Sequence, residues 1–248
     1  MDNFSIEGPR IVFKIPVGDY TLRITETLVN SWIVMILLAA AVIWLGSNLK
    51  KIPTTKKQAV AEMAVKFMHG LTDDNLGEGC RSYAPYLAAI FLYTLIGALI
   101  SLFGFRGVPS DINTTSTMAG MTLCMIMYGN FRYKGAKQYA KGLATPIFLS
   151  PLNVMGEFTP VLAMAMRLFG NMSGGAIITA LLYGALTAAS VGLYHLLGLA
   201  GDVFYFNALQ VGIPAVLSMY FDLFSGVIQS YVFIMLTMAY VRNARSVD

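Results

Sequence analysis

Between Gly142 and Val241 the chain runs for a hundred residues with four formal charges: Glu157, Arg167, Asp202 and Asp222. Arg167 has nine uncharged residues before it and thirty-four after it. A guanidinium at the centre of a membrane helix costs about 2.5–3.5 kcal/mol even on lenient insertion scales. So deep in an apolar run, the side chain reaches the interface only with difficulty. Arginine does not give up its proton, so it is no proton relay. It is a fixed positive charge that keeps a nearby carboxylate ionised and repels a free cation. A membrane device that divides one ion path into two unconnected halves needs such a group.

Asn171, Gly174 and Gly175 follow at helical intervals and share a stripe with Arg167. Small residues on such a stripe let another backbone approach closely, although ordinary helix packing also uses them. A second stripe holds Asp222, Ser225, Gly226 and Gln229 at spacings that keep one helix face. A carboxylate among apolar residues is a functional candidate by default. A structural ion pair between Asp222 and Arg167 is the plainer alternative, and Gln229 alone could merely bridge two helices. Together the stripes outline a wet, polar path between two helices.

Those helices need lipid around them. Of 248 residues 56% are hydrophobic and 12% charged, about half the charge of a soluble domain. Long apolar runs without strand-like alternation predict an all-α integral membrane protein, since spanning backbone must satisfy itself in helices or closed barrels. About five transmembrane or embedded helices are expected, with one amphipathic helix at the interface. Leu28–Ser47, Ser82–Phe105 and Thr114–Phe131 span. The stretch from Gln58 to Leu71 is too short and too charged, and lies in the interface with Val60, Met63, Ala64, Phe67, Met68 and Leu71 at helical spacing. Two long helices, roughly Pro151–Leu199 with possible breaks and Phe206–Val241, form a closing hairpin.

One membrane domain covers 1–248: an external segment over 1–27, peripheral helices and a basic loop over 28–141, the polar hairpin over 142–241, and a tail over 242–248. Twelve Lys and Arg fall on the side of Lys50, Lys134 and Arg242, against four on the other side. The positive-inside rule therefore places the N-terminus outside and the C-terminus in the cytoplasm. The same distribution explains the net charge of +4 without a nucleic-acid partner. The start of the chain lacks a signal-peptide pattern. Cys80 and Cys124 have no metal-ligand spacing. No nucleophile–base set or phosphate loop suggests an enzyme, and no cofactor or metal is expected.

The segment RLFGNM at 167–172, with PLNVMGE at 151–157 before it and IQSYVFIMLTMAYV at 228–241 after it, resembles subunit a of the F-type ATP synthase. ITETLVNSW at 24–32, VPSDINTT at 108–115 and the basic loop near 134–141 extend the resemblance over nearly the whole chain. It implies a stator beside a rotating ring of c subunits, each with a membrane carboxylate, held with a b-subunit peripheral stalk in a bacterial plasma membrane. Two half-channels would carry protons to and from those carboxylates, the choice of proton or sodium resting largely with the ring. Arg167 matches the essential arginine, Gln229 the glutamine facing it, and Asn171 the asparagine one turn on. Many members pair a Glu or His nine residues after the arginine with a His or Glu seven before the glutamine. Here those positions hold Ala176 and Asp222, so the inlet is expected to rely on Asp222, water, and Ser218 or Tyr220. Glu157 would line the exit or serve as an interface carboxylate, and His195 and Asp202 belong to the outer turn. An independent secondary transporter is the competing class; it would show matching halves with broken helices, and none is visible.

Overall fold

The computed structural model describes residues 11–17, 20–47, 55–77, 79–196 and 219–245. It opens on an antiparallel hairpin, β1 (Ile11–Val17) and β2 (Tyr20–Thr25), with Val17 opposite Tyr20. The sequence reading assigns this stretch no secondary structure. Its signal is two β-branched runs with Gly18 and Asp19 between them, a two-residue hairpin connection.

β2 leads directly into α1 (Glu26–Gly46), two residues earlier than expected. In lipid the apolar side of a helix faces outward, and α1 follows that rule. Ile36, Ile43 and Trp44 are exposed while Thr27, Asn30 and Ser31 are buried. Thr27 donates to Asp111 Oδ2 at 2.6 Å, Asn30 to the Arg106 carbonyl at 2.9 Å, and Ser31 bonds Tyr93 at 2.6 Å. Two of these bonds tie one end of α1 to the segment 106–111, and the third ties it to Tyr93. Buried polar groups in lipid need such partners, because no water replaces them.

Helix α2 (Lys56–Leu76) is longer than expected at 21 residues. Its expected apolar face divides. Met68, Thr72 and Leu76 are buried, and Val60, Met63 and Phe67 stand exposed. The reason is the partner: α2 packs along the last helix, which covers one edge of the stripe. α3 (Ala84–Leu99) is flanked by 3-10 turns at Arg81–Tyr83 and Ile100–Phe103, and Gly104, with φ 80°, stops it.

Among the described residues, four helical stretches have the length and apolarity of a membrane span: Glu26–Gly46, Arg81–Phe103, Ser150–Ser190 and Leu223–Arg245. α4 (Ile112–Tyr133) is the expected fifth; it has 22 residues but falls outside that set. It packs against both α6 and α7, so protein rather than lipid faces much of it. Its hydroxyls are satisfied locally: Thr115 bonds back to the Ile112 carbonyl, Thr117 to Asn113 and Thr122 to Met118. The Asp111 carboxylate caps its first turn, accepting from the Asn113 N–H at 3.0 Å.

The basic loop is partly helical, with α5 at Ala136–Ala144. α6 (Ser150–Leu196) is one helix of 47 residues with Pro160 inside it. α7 (Gly226–Arg245) is preceded by a wide π turn at Phe221–Ser225. α7 is the hub, in contact with α2, α3, α4 and α6. Phe233, Ile234, Met238 and Val241 of α7 meet Met164, Ala165 and Leu168 of α6 in the core. The expected join near Gly201 and Asp202, and the expected helix start at Phe206, lie outside the described residues.

Candidate functional site

Arg167 is the eighteenth residue of α6, one residue before Leu168, which is fully buried. Successive residues on a helix differ by about 100°, so the core face and the Arg167 face diverge at once. The guanidinium is exposed on the outside of the bundle. Among the described residues no hydrogen bond or ion pair reaches it. Gly170 and Gly174 sit on the same side, and nothing lies within 4 Å of where a Cβ would be at either. Among the described residues nothing closes on this stripe at Gly170 or Gly174.

One turn beyond, the polar stripes of α6 and the last helix meet. Asn171 donates through Nδ2 to Gln229 Oε1 at 3.3 Å and accepts from Ser225 Oγ at 2.7 Å. Gln229 is buried at 5% exposure. Asn171 is therefore the joint between the two helices, and Gln229 reaches α6 through it rather than through Arg167. Asn171→Leu should cost the membrane complex about 1 kcal/mol in thermal unfolding, within the range of membrane hydrogen bonds. Gln229→Leu added to it should cost little more, because the two changes break one shared bond.

The expected single stripe on the last helix divides. Ser225 and Gln229 face α6, but a Cβ on Gly226 would sit 2.9 Å from Ala98 Cβ of α3. Neighbouring residues on a helix point about 100° apart, so Ser225 and Gly226 meet different partners; just before Gly226 the helix passes through the π turn at Phe221–Ser225. Such wide turns cluster at functional sites. Asp222 lies within it, though its side chain, like that of His195 at the end of α6, is outside the described residues, as are Ser218 and Asp202 altogether. Tyr220 is exposed and stacks on Phe224 at 5.0 Å. Ala176 is exposed.

Glu157 lies ten residues before Arg167, about 15 Å along the axis. Asn130 of α4 donates to its Oε1 at 2.8 Å. Burial and the nearby Glu157 carboxylate push the Tyr139 phenol of α5 up to about 12. Neither residue figures in the sequence reading. Asn130 left a signal as a lone amide at the end of an otherwise apolar run; Tyr139 left none.

A family model described as ATP synthase A chain matches residues 28–242. The chain belongs to that family. Curated relatives agree along almost the whole length. "ATP synthase subunit a, sodium ion specific" of Propionigenium modestum is 33% identical over 96% of this chain and 86% of the relative. "ATP synthase subunit a" of Oceanobacillus iheyensis is 28% identical over 96% and 95% respectively. The Moorella thermoacetica protein of the same name is 29% identical over 90% and 91%. As a member of the ATP synthase A chain family, the chain is an ion-translocating stator subunit of the membrane sector and a component of a larger complex. The secondary-transporter reading is set aside.

Proposed function

We propose that this chain presents Arg167 to a ring of c subunits and feeds that ring through two half-channels that never join. The observation that carries this reading is the guanidinium itself. It is exposed on the outer face of a 47-residue membrane helix, without a partner among the described residues. A charge so placed suits an opposite charge brought up from outside the chain, and open positions at Gly170 and Gly174 leave room for a close helix.

Asn171, Gln229, Asp222 and Ser218 line the inlet in this reading, and Glu157 the outlet. The chain itself is non-catalytic; the ion gradient is coupled to ATP synthesis elsewhere in the complex. The exposed apolar faces of α1 and α2 suit lipid and a helix of the b-subunit stalk. The basic segments support a C-terminus in the cytoplasm, and in this reading the chain lies in a bacterial plasma membrane. We take the proton as cargo. The sodium-specific name of the Propionigenium modestum relative supplies the second reading, with sodium on the same route.

ATP-driven ion movement by the purified complex in vesicles tests both. Acid uptake that persists without sodium is expected. A strict sodium requirement would transfer the assignment to the second reading, and an assembled complex that moves neither ion would end both.

A further inference from the structure

A cavity of about 280 Å³ opens against α6 at Gly156, Glu157 and Pro160, with Asn130 and Lys134 of α4 and Tyr240 of α7 among its other walls. It has room for several waters. The Glu157 carboxylate is held from one side. Asn130, buried at 3% exposure, donates through Nδ2 to Oε1 at 2.8 Å. An amide is a permanent donor, and the second carboxylate oxygen keeps its own capacity to accept.

A further acceptor comes from the backbone. In an α-helix each carbonyl accepts from the N–H four residues on. Pro160 stands four residues after Gly156 and has no N–H to give. Gly156 has no side chain, so it lines the cavity with its backbone, and nothing lies within 4 Å of where a Cβ would be. Among the described residues no side chain donates to its carbonyl. We infer that the Gly156 carbonyl and the Glu157 carboxylate form a two-oxygen site for a hydrated monovalent cation, hydronium or sodium. This rests on the outlet reading of Glu157 and deepens it. Carbonyls released from a membrane helix are suitable ligands for such ions, and waters in the cavity complete the shell. Lys134, which donates to the Asn243 carbonyl at 3.4 Å, puts a like charge on the same cavity. Its repulsion weakens the hold. A site on a conduction path requires that, because an ion that binds there must also leave.

The test uses the whole complex in vesicles, reading passive acid and sodium flux through the membrane sector, ATP-driven pumping and thermal stability. Pro160→Ala restores the missing N–H, returns the Gly156 carbonyl to the helix and takes one oxygen from the cavity. Flux and pumping should fall about tenfold, the worth of one polar contact to a charged group. Stability should hold or rise, because alanine suits a helix interior and proline does not. The ion whose flux falls identifies the cation. In a Glu157→Gln background the same change should add no further loss. If Pro160→Ala conducts as wild type while Glu157→Gln fails, the carbonyl is no ligand and the inference is overturned. It is overturned equally if stability falls together with flux, since the proline is then structural. If Glu157→Gln itself conducts normally, the outlet reading falls and takes this inference with it; Arg167 variants then test the stator reading on their own.

Discussion

Arg167→Ala should yield a complex that assembles and still hydrolyses ATP but moves no ion. Exposed on the bundle surface, the side chain holds no described part of the fold together, so removing it spares assembly. What it removes is a unit charge. At about 4 Å from a carboxylate, in an effective dielectric of about 20, such a charge is worth ~4 kcal/mol. That corresponds to roughly three decades in the ionised population of the partner. Arg167→Lys should also fail largely, because a desolvated ammonium can lose its proton where a guanidinium cannot. ATP-driven pumping in inverted vesicles, normalised to the amount of this chain in the purified complex, is the measurement. Normal pumping by an assembled Arg167→Ala complex contradicts the assignment.

Gly226 is the position where the smallest added group should do the most structural damage. A Cβ there would stand 2.9 Å from Ala98 Cβ, well inside the ~3.5–4.0 Å at which carbon atoms pack best. Ala98 is buried and its methyl cannot swing away, so α3 and α7 must separate. Overpacking of this kind costs about 1–3 kcal/mol. Gly226 lies between Ser225 and Gln229, the two residues that hold Asn171, and the Asn171–Gln229 bond is already long at 3.3 Å. Gly226→Ala should therefore lower both thermal stability and pumping. Gly226→Val should leave little of the chain in the membrane, as read by immunoblot. Ala98→Gly should restore much of what Gly226→Ala loses; a Gly226→Ala complex of unchanged stability would show that the helices can part freely.

Much of this was written in residue type and spacing. An arginine isolated in an apolar run is legible because nothing but function tolerates its cost, and Asn171 and Gln229 are legible as amides on stripes that meet. Three features escaped, each for a physical reason. The split of the α2 stripe depends on which helix lies alongside, and hydropathy does not say. The π turn at Phe221–Ser225 departs from the period of 3.6 assumed through it. Tyr139 stands on a short helix inside a run that reads as a loop, and so its nearness to Glu157 had no sign in the spacing. Asn30, Thr27 and Asp111 went unread for the same cause: their partners are distant in sequence.

The length of α6 has a geometric outcome of its own. Forty-seven residues make a rod of about 70 Å, against a hydrocarbon core of about 30 Å. Kept within that core, the rod must lean about 65° from the membrane normal. The ~15 Å between Glu157 and Arg167 then resolves into about 6 Å of depth and ~14 Å of sideways travel. Glu157 and Arg167 on such a ramp are displaced mainly sideways rather than one above the other. In the proposed reading, an ion passing from beside Asn171 to an outlet at Glu157 therefore has to be carried laterally, and that sideways step is what a turning wheel can supply.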